Sequence, residues 1–116
     1  MKRLTIGILP QDKMRERVIK IARGELKPKS GDPKVWFPSM RSVAEVLSDE
    51  NRALLKVIEA EQPPSIRELA ELTGRKQGNL SRTLKTMSHY GLVELKPAAH
   101  RRLERVAKAT EFKIVA

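Results

Sequence analysis

SIRELAELTGRKQGNLSRTLKTMSHYGLVEL, residues 65–95, decides how the rest of the chain is read. Ser65 followed by Glu68 three residues on is a capping box, in which each side chain satisfies an orphan N–H at a helix start. Ile66, Leu69 and Ala70 then share a face, and Thr73-Gly74 breaks the helix, because glycine adopts positive φ at low cost. A second helix is predicted from about Lys76 to Tyr90, with Gly91 as its stop. At about 100° per residue Leu80, Leu84 and Met87 form one stripe, with Gly78, Arg82, Lys85 and His89 opposite. A strand opens at Leu92. A short helix, a tight corner, a longer basic helix and a hairpin are the order of a helix-turn-helix with a wing.

Upstream, Leu4, Ile6 and Ile8 alternate with Thr5 and Gly7 as in a half-buried strand, which Pro10 ends. From Gln11 to about Arg23, Met14, Val18, Ile21 and Ala22 keep helical spacing. The plainer reading of this helix is a cover for the core; the sharper one is a dimerisation surface. GELKPKSGDPK, residues 24–34, reads as a mobile loop, either a connector or a basic arm. Trp36 and Phe37, two of only four aromatics, are expected to fill the core, the alternative being a contact patch. Ser39 then caps a helix carrying Met40, Val43, Ala44 and Leu47. Ser48-Asp49 opens another, with Leu54, Leu55 and Ile58 inward, closed by Gln62-Pro63-Pro64. Downstream, about Arg102 to Val115 is expected to form one long strand pairing with Leu92 to Lys96.

A chain of 116 residues with 40% hydrophobic residues can bury one modest core. It has no cysteine, which excludes a disulfide scaffold and a thiolate metal site. No apolar run approaches the roughly 18 residues of a membrane span, so a cytoplasmic location without membrane contact is expected. Charge is the strongest global signal, with 24 Lys and Arg against 14 Asp and Glu, a net +10. Nine basic and two acidic residues lie between Gly74 and Lys108. A scattered excess would be a solvated surface. Clustered on the second helix and its sequel, it has the footprint of phosphate neutralisation and points to nucleic acid.

Enzymatic constellations are thin. His89 and His100 form no HxxxH or HExxH pattern, and neither GxxxxGK[ST] nor GxGxxG occurs. No enzyme activity, cofactor or metal is expected.

A basic helix does have a mechanism for reading DNA, since an α-helix fits the major groove and its N-terminal residues reach base edges. Arg75, Lys76, Gln77 and Asn79 occupy that end, with Arg82 a turn further and Lys85 beyond it. Gly78 inside a helix costs about 0.5–1 kcal/mol relative to Ala. Close approach to a DNA backbone, close packing on the preceding helix, or tolerance near a helix start would each account for it. Arg101, Arg102 and Arg105 suit phosphates or the minor groove, where they add affinity more than discrimination.

With those residues in hand, IRELAELTGRKQGNLSRTLKTMSHYGLVEL resembles the winged helix-turn-helix core of MarR-like and ArsR-like prokaryotic transcription regulators. ELAE-x-TG, LSRTLKTM and the closing GLV carry the likeness, which spans roughly Ser48 to Val115. The N-terminal part, with its WFPSMRSVAEVL segment, looks like a small group of archaeal and bacterial DNA-binding regulators, some serving as antitoxins beside a toxin gene. The resemblance implies a homodimer on a pseudo-palindromic site. Gln77, Asn79, Ser81 and Arg82 would then be base or phosphate contacts and Arg101 and Arg102 wing contacts. MarR-like proteins dimerise through long terminal helices, whereas this chain ends in the strand-like TEFKIVA.

The expectation is an α+β winged helix-turn-helix, residues 48–116, carrying an N-terminal extension, residues 1–47, packed on its core. Its function would be sequence-specific binding of double-stranded DNA as a homodimeric repressor, with helix 76–90 in the major groove. The alternative is an antitoxin-type module that neutralises a cognate toxin protein and autoregulates its operon. An RNA-binding winged helix is a third and weaker option.

Overall fold

Three strands far apart in the chain meet in one sheet. The computed structural model describes the backbone of residues 3–97 and 103–115, and their side chains except those of 95–97 and 103–106. In order, the elements are β1 (Arg3–Ile8), α1 (Gln11–Ala22), β2 (Val35–Phe37), α2 (Met40–Val46), α3 (Asp49–Glu61), α4 (Ile66–Thr73), α5 (Gln77–His89), β3 (Val93–Pro97), β4 (Leu103–Ala107) and β5 (Glu111–Val115). The class is α+β. Among the described residues no helix is long and apolar enough to cross a membrane.

β1 lies between β2 and β5, parallel to both. Parallel neighbours need a crossover, which α1 and the following connector supply between β1 and β2. Leu4 and Ile6 stand beside Phe112 and Ile114, and Ile6 and Ile8 beside Val35 and Phe37, so one face of the sheet is apolar throughout. Ile6 and Phe37 are fully buried on it, in one cluster with Leu54, Leu55 and Ile58 of α3, Leu69 of α4, and Leu80, Leu84 and Met87 of α5. Segments 1–47 and 48–116 therefore share both a sheet and a core. Phe37 also stacks on Tyr90, with centroids 4.1 Å apart, a pairing worth about 0.5–1.5 kcal/mol beyond its buried area.

Alternation separates the two adjacent aromatics. Phe37 enters the core, while half-buried Trp36 lies over Gly7, with the Arg17 guanidinium 5.1 Å from its ring. Arg17 also pairs with Asp32 at 3.2 Å, and the Lys34 N–H donates to the Thr5 carbonyl. The 24–34 connector is thus tied down at its end, where the sequence reads as a mobile loop.

α1 buries no residue. Met14 and Ile21 are half-buried, but Val18 is 54% exposed and Ile19 44%. Its apolar stripe only partly covers the molecule.

The expected single strand over 102–115 is two strands in two sheets. β4 pairs antiparallel with β3, and the Lys108 N–H to Leu92 carbonyl bond, 2.9 Å, closes that hairpin. Buried Ala109 and Thr110 then carry the chain over to β1. The cause is long-range: Phe112 and Ile114 find their apolar register partners in Leu4 and Ile6, which no local pattern in 102–115 displays.

Candidate functional site

The corner between α4 and α5 is built by three local devices. The Ser65 hydroxyl oxygen accepts from the Glu68 N–H at 3.1 Å, forming one half of the predicted capping box. Among the described residues the reciprocal half is not made; the complete box is at Ser39 and Ser42, at the start of α2. Gly74 ends α4 in the left-handed region at φ +73°, its N–H bonded to the Ala70 carbonyl. The Thr73 hydroxyl donates to the Leu69 carbonyl at 2.8 Å and accepts from the Arg75 N–H, so the turn is held from inside.

α5 starts at Gln77, one residue later than predicted, with Lys76 as N-cap and no side-chain capping bond. Its first N–H groups therefore have no intrahelical acceptor and point out of the helix end. Leu80, Leu84 and Met87 are buried as the spacing requires. Gln77, Gly78, Asn79, Ser81, Arg82 and Lys85 are exposed on the other side, and α5 contains no acidic residue. A Cβ built on Gly78 meets nothing within 4 Å, which removes close packing on the preceding helix as its explanation.

Arg75 behaves differently from the rest. Its guanidinium donates to Asn79 Oδ1 through Nε at 3.0 Å and Nη2 at 2.7 Å, to Asn51 Oδ1 at 3.1 Å and to Thr83 Oγ1 at 3.2 Å. It is a clamp between α3, the turn and α5. Asn51, which sequence reading left out, is the hub of the α3 side, since its amide also donates to the Val46 carbonyl at 3.0 Å. Nothing local to Asn51 signals this role: its partner is 24 residues away.

Arg82 borders a shallow groove of about 280 Å³ with Glu45, Asn51, Asn79 and Thr86. Glu45 is the acidic residue among those lining it. The hairpin β3–β4 follows α5 directly, as Leu95 stands opposite Arg105 in its register. Arg105 is described by that strand position alone, and Arg101 and Arg102 lie outside the described residues. The structure thus gathers Gln77, Gly78, Asn79, Ser81, Arg82 and Lys85 on one helix with Lys76 as its N-cap, and Arg75 turned inward before it.

Chemically this face offers amide, hydroxyl, guanidinium and ammonium groups and unpaired backbone N–H donors, a set suited to an anionic, hydrogen-bonding partner. Among the described residues no group of three or more His, Cys, Asp or Glu is placed to hold a metal ion.

The family model HVO_A0114 matches residues 46–112, and the chain belongs to that family. The match runs from the end of α2 through the corner and hairpin into β5. Neither a curated protein nor a solved structure matches the chain.

Proposed function

We propose that this member of the HVO_A0114 family is a sequence-specific, double-stranded-DNA-binding transcriptional regulator of the MarR-like and ArsR-like kind, acting as a homodimeric repressor. In this reading α3, α4 and α5 with the β3–β4 hairpin form a winged helix-turn-helix. α5 enters the major groove and the hairpin is the wing. The observation that carries the proposal is the division of α5: one face buried through Leu80, Leu84 and Met87, the other exposed, acid-free and cationic at Arg82 and Lys85. Uncapped N–H groups at its start suit a phosphate, which would set the helix's depth in the groove. Gly78, open to solvent on that face, permits close approach to a DNA backbone.

The exposed apolar pair Val18 and Ile19 on α1 favours a second reading, an antitoxin-type module that holds a partner protein there and autoregulates its operon.

Fluorescence anisotropy with duplex from upstream of its own gene, random duplex and RNA, over a salt series, tests the first reading. Tighter binding to the upstream duplex with a steep salt slope is expected. Arg82→Ala should weaken the specific complex by about tenfold or more, the range of one base contact. Equal affinity for all three polymers would overturn the proposal. Co-purification of a stable second protein lost on Val18→Asp would establish the second reading.

A further inference from the structure

The three-stranded sheet has two edges, and they are finished differently. β2 is three residues long, with Pro33 before it and Pro38 after it, so little backbone is offered there. β5 is five residues long and proline-free, and among the described residues nothing pairs with its outer side. Every residue from Thr110 to Ile114 lines an open cleft of about 890 Å³, whose other lining residues are the apolar Met40, Val43, Ala44 and Leu47 and the basic Arg3, Arg52 and Lys56. Large apolar side chains are left in water here, Met40 53% and Ile114 45% exposed in the cleft and Val115 43% exposed on the other face of the strand, as Val18, Ile19 and Leu72 are on the helices. An edge strand of this kind is a template for another strand.

The order of charges in β5 says which strand fits. Phe112 is flanked by Lys113 and by Glu111, whose carboxylate also lies 3.6 Å from the exposed Arg3 guanidinium of its own β1. When two copies of β5 run antiparallel with Phe112 opposite Phe112, Glu111 of each copy stands opposite Lys113 of the other, twice by symmetry. The same register places Ile114 of the second copy beside Thr110, on the face where the cleft and its apolar wall lie. A strand read against itself in this way gives an isologous two-fold contact.

We propose that a second copy of this chain docks at β5, joining the two sheets edge to edge into one of six strands in the order β2-β1-β5-β5-β1-β2. The interface rests on the homodimeric reading above and gives that dimer its location, in the sheet and away from α5. Each copy then closes the other's cleft with Phe112 and Ile114, and both α5 helices stay free.

Light scattering and sedimentation of the full chain without DNA test this, with circular dichroism to check folding. Glu111→Lys alone and Lys113→Glu alone each set like charges opposite one another at two places. Each should raise the dimer dissociation constant by about tenfold or more. Mixed together, the two variants restore both opposite-charge pairs, so an equimolar mixture should form a heterodimer as tight as the wild-type dimer. A folding defect could not produce that rescue. A dimer unaffected by either change, or a mixture that stays monomeric, overturns the β5 interface while leaving the dimeric reading standing. A wild-type chain monomeric at about 100 µM, a concentration at which a specific interface of ordinary affinity is saturated, overturns both. The duplex titration with Arg82→Ala reports separately on DNA reading.

Discussion

Two donors of Arg75 converge on a single acceptor, Oδ1 of Asn79, at 3.0 and 2.7 Å. That leaves the Asn79 side chain with only its NH2 group to offer. Bidentate pairing with adenine needs an acceptor as well as a donor, so if α5 enters a major groove as proposed, this amide would meet guanine N7 and O6 or thymine O4 instead. Arg75→Ala is expected to move base preference at the contacted position toward adenine, as read by binding-site selection. The same change removes the bonds to Asn51 and Thr83 and should cost about 1–2 kcal/mol in urea unfolding, whereas Lys76→Ala should stay within about 0.5 kcal/mol.

Gly78 separates stability from function. With open space around its position, Gly78→Ala should stabilise the free protein by up to about 1 kcal/mol through helix propensity. If α5 lies against a phosphate backbone at this residue, the added methyl group should nevertheless weaken duplex binding. Thermal melting and anisotropy on the same preparation check both directions. A gain in both stability and affinity would move the contact away from Gly78.

Gly7 is set by crowding and not by its backbone angles. A Cβ there would lie 2.6 Å from Cε3 of Trp36 and 2.9 Å from Cγ of Pro33. Gly7→Ala must displace the indole from under Arg17 and is expected to destabilise by about 1–3 kcal/mol. Because Trp36 is the only tryptophan, its fluorescence maximum should shift with the substitution.

Asp32 ties the 24–34 connector to α1. The Lys29 N–H donates to its carboxylate at 2.8 Å, and this bond, helped by Arg17, holds its pKa below the ordinary 3.8. A carboxyl depressed in the folded state contributes stability above its unfolded value and loses it as pH falls through the folded one. The contribution should therefore be complete above about pH 5, where the unfolded carboxyl is ionised too, and fade below 3.8. Asp32→Asn should flatten that acid limb in melting curves between pH 2 and about 5.

The helices were legible because their signals are local. Ser65, Gly74 and Gly91 mark boundaries within a turn of where they act, and the stripe Leu80, Leu84, Met87 needs only the 3.6-residue period to be seen. The exposed set on α5 follows from the same period, since whatever is not on the stripe is outside. Arg75 shows the limit. Its position at the helix start reads as a base contact, and only the placement of Asn51 on α3 and Thr83 on α5 turns it inward.

Sequence by itself determined the order of the helices, the inward face of α3, α4 and α5 though not of α1, and the concentration of positive charge from residue 74 onward. These depend on caps, periods and counts that act over a few residues. Only the tertiary structure decided that residues 103–115 divide between two sheets, that β1 pairs with both β2 and the distant β5, and that β5 is left as an open edge. Such pairings are settled by which apolar faces come together after the helices have packed. Leu4 and Phe112, more than a hundred residues apart, carry no mark of each other in the sequence between them.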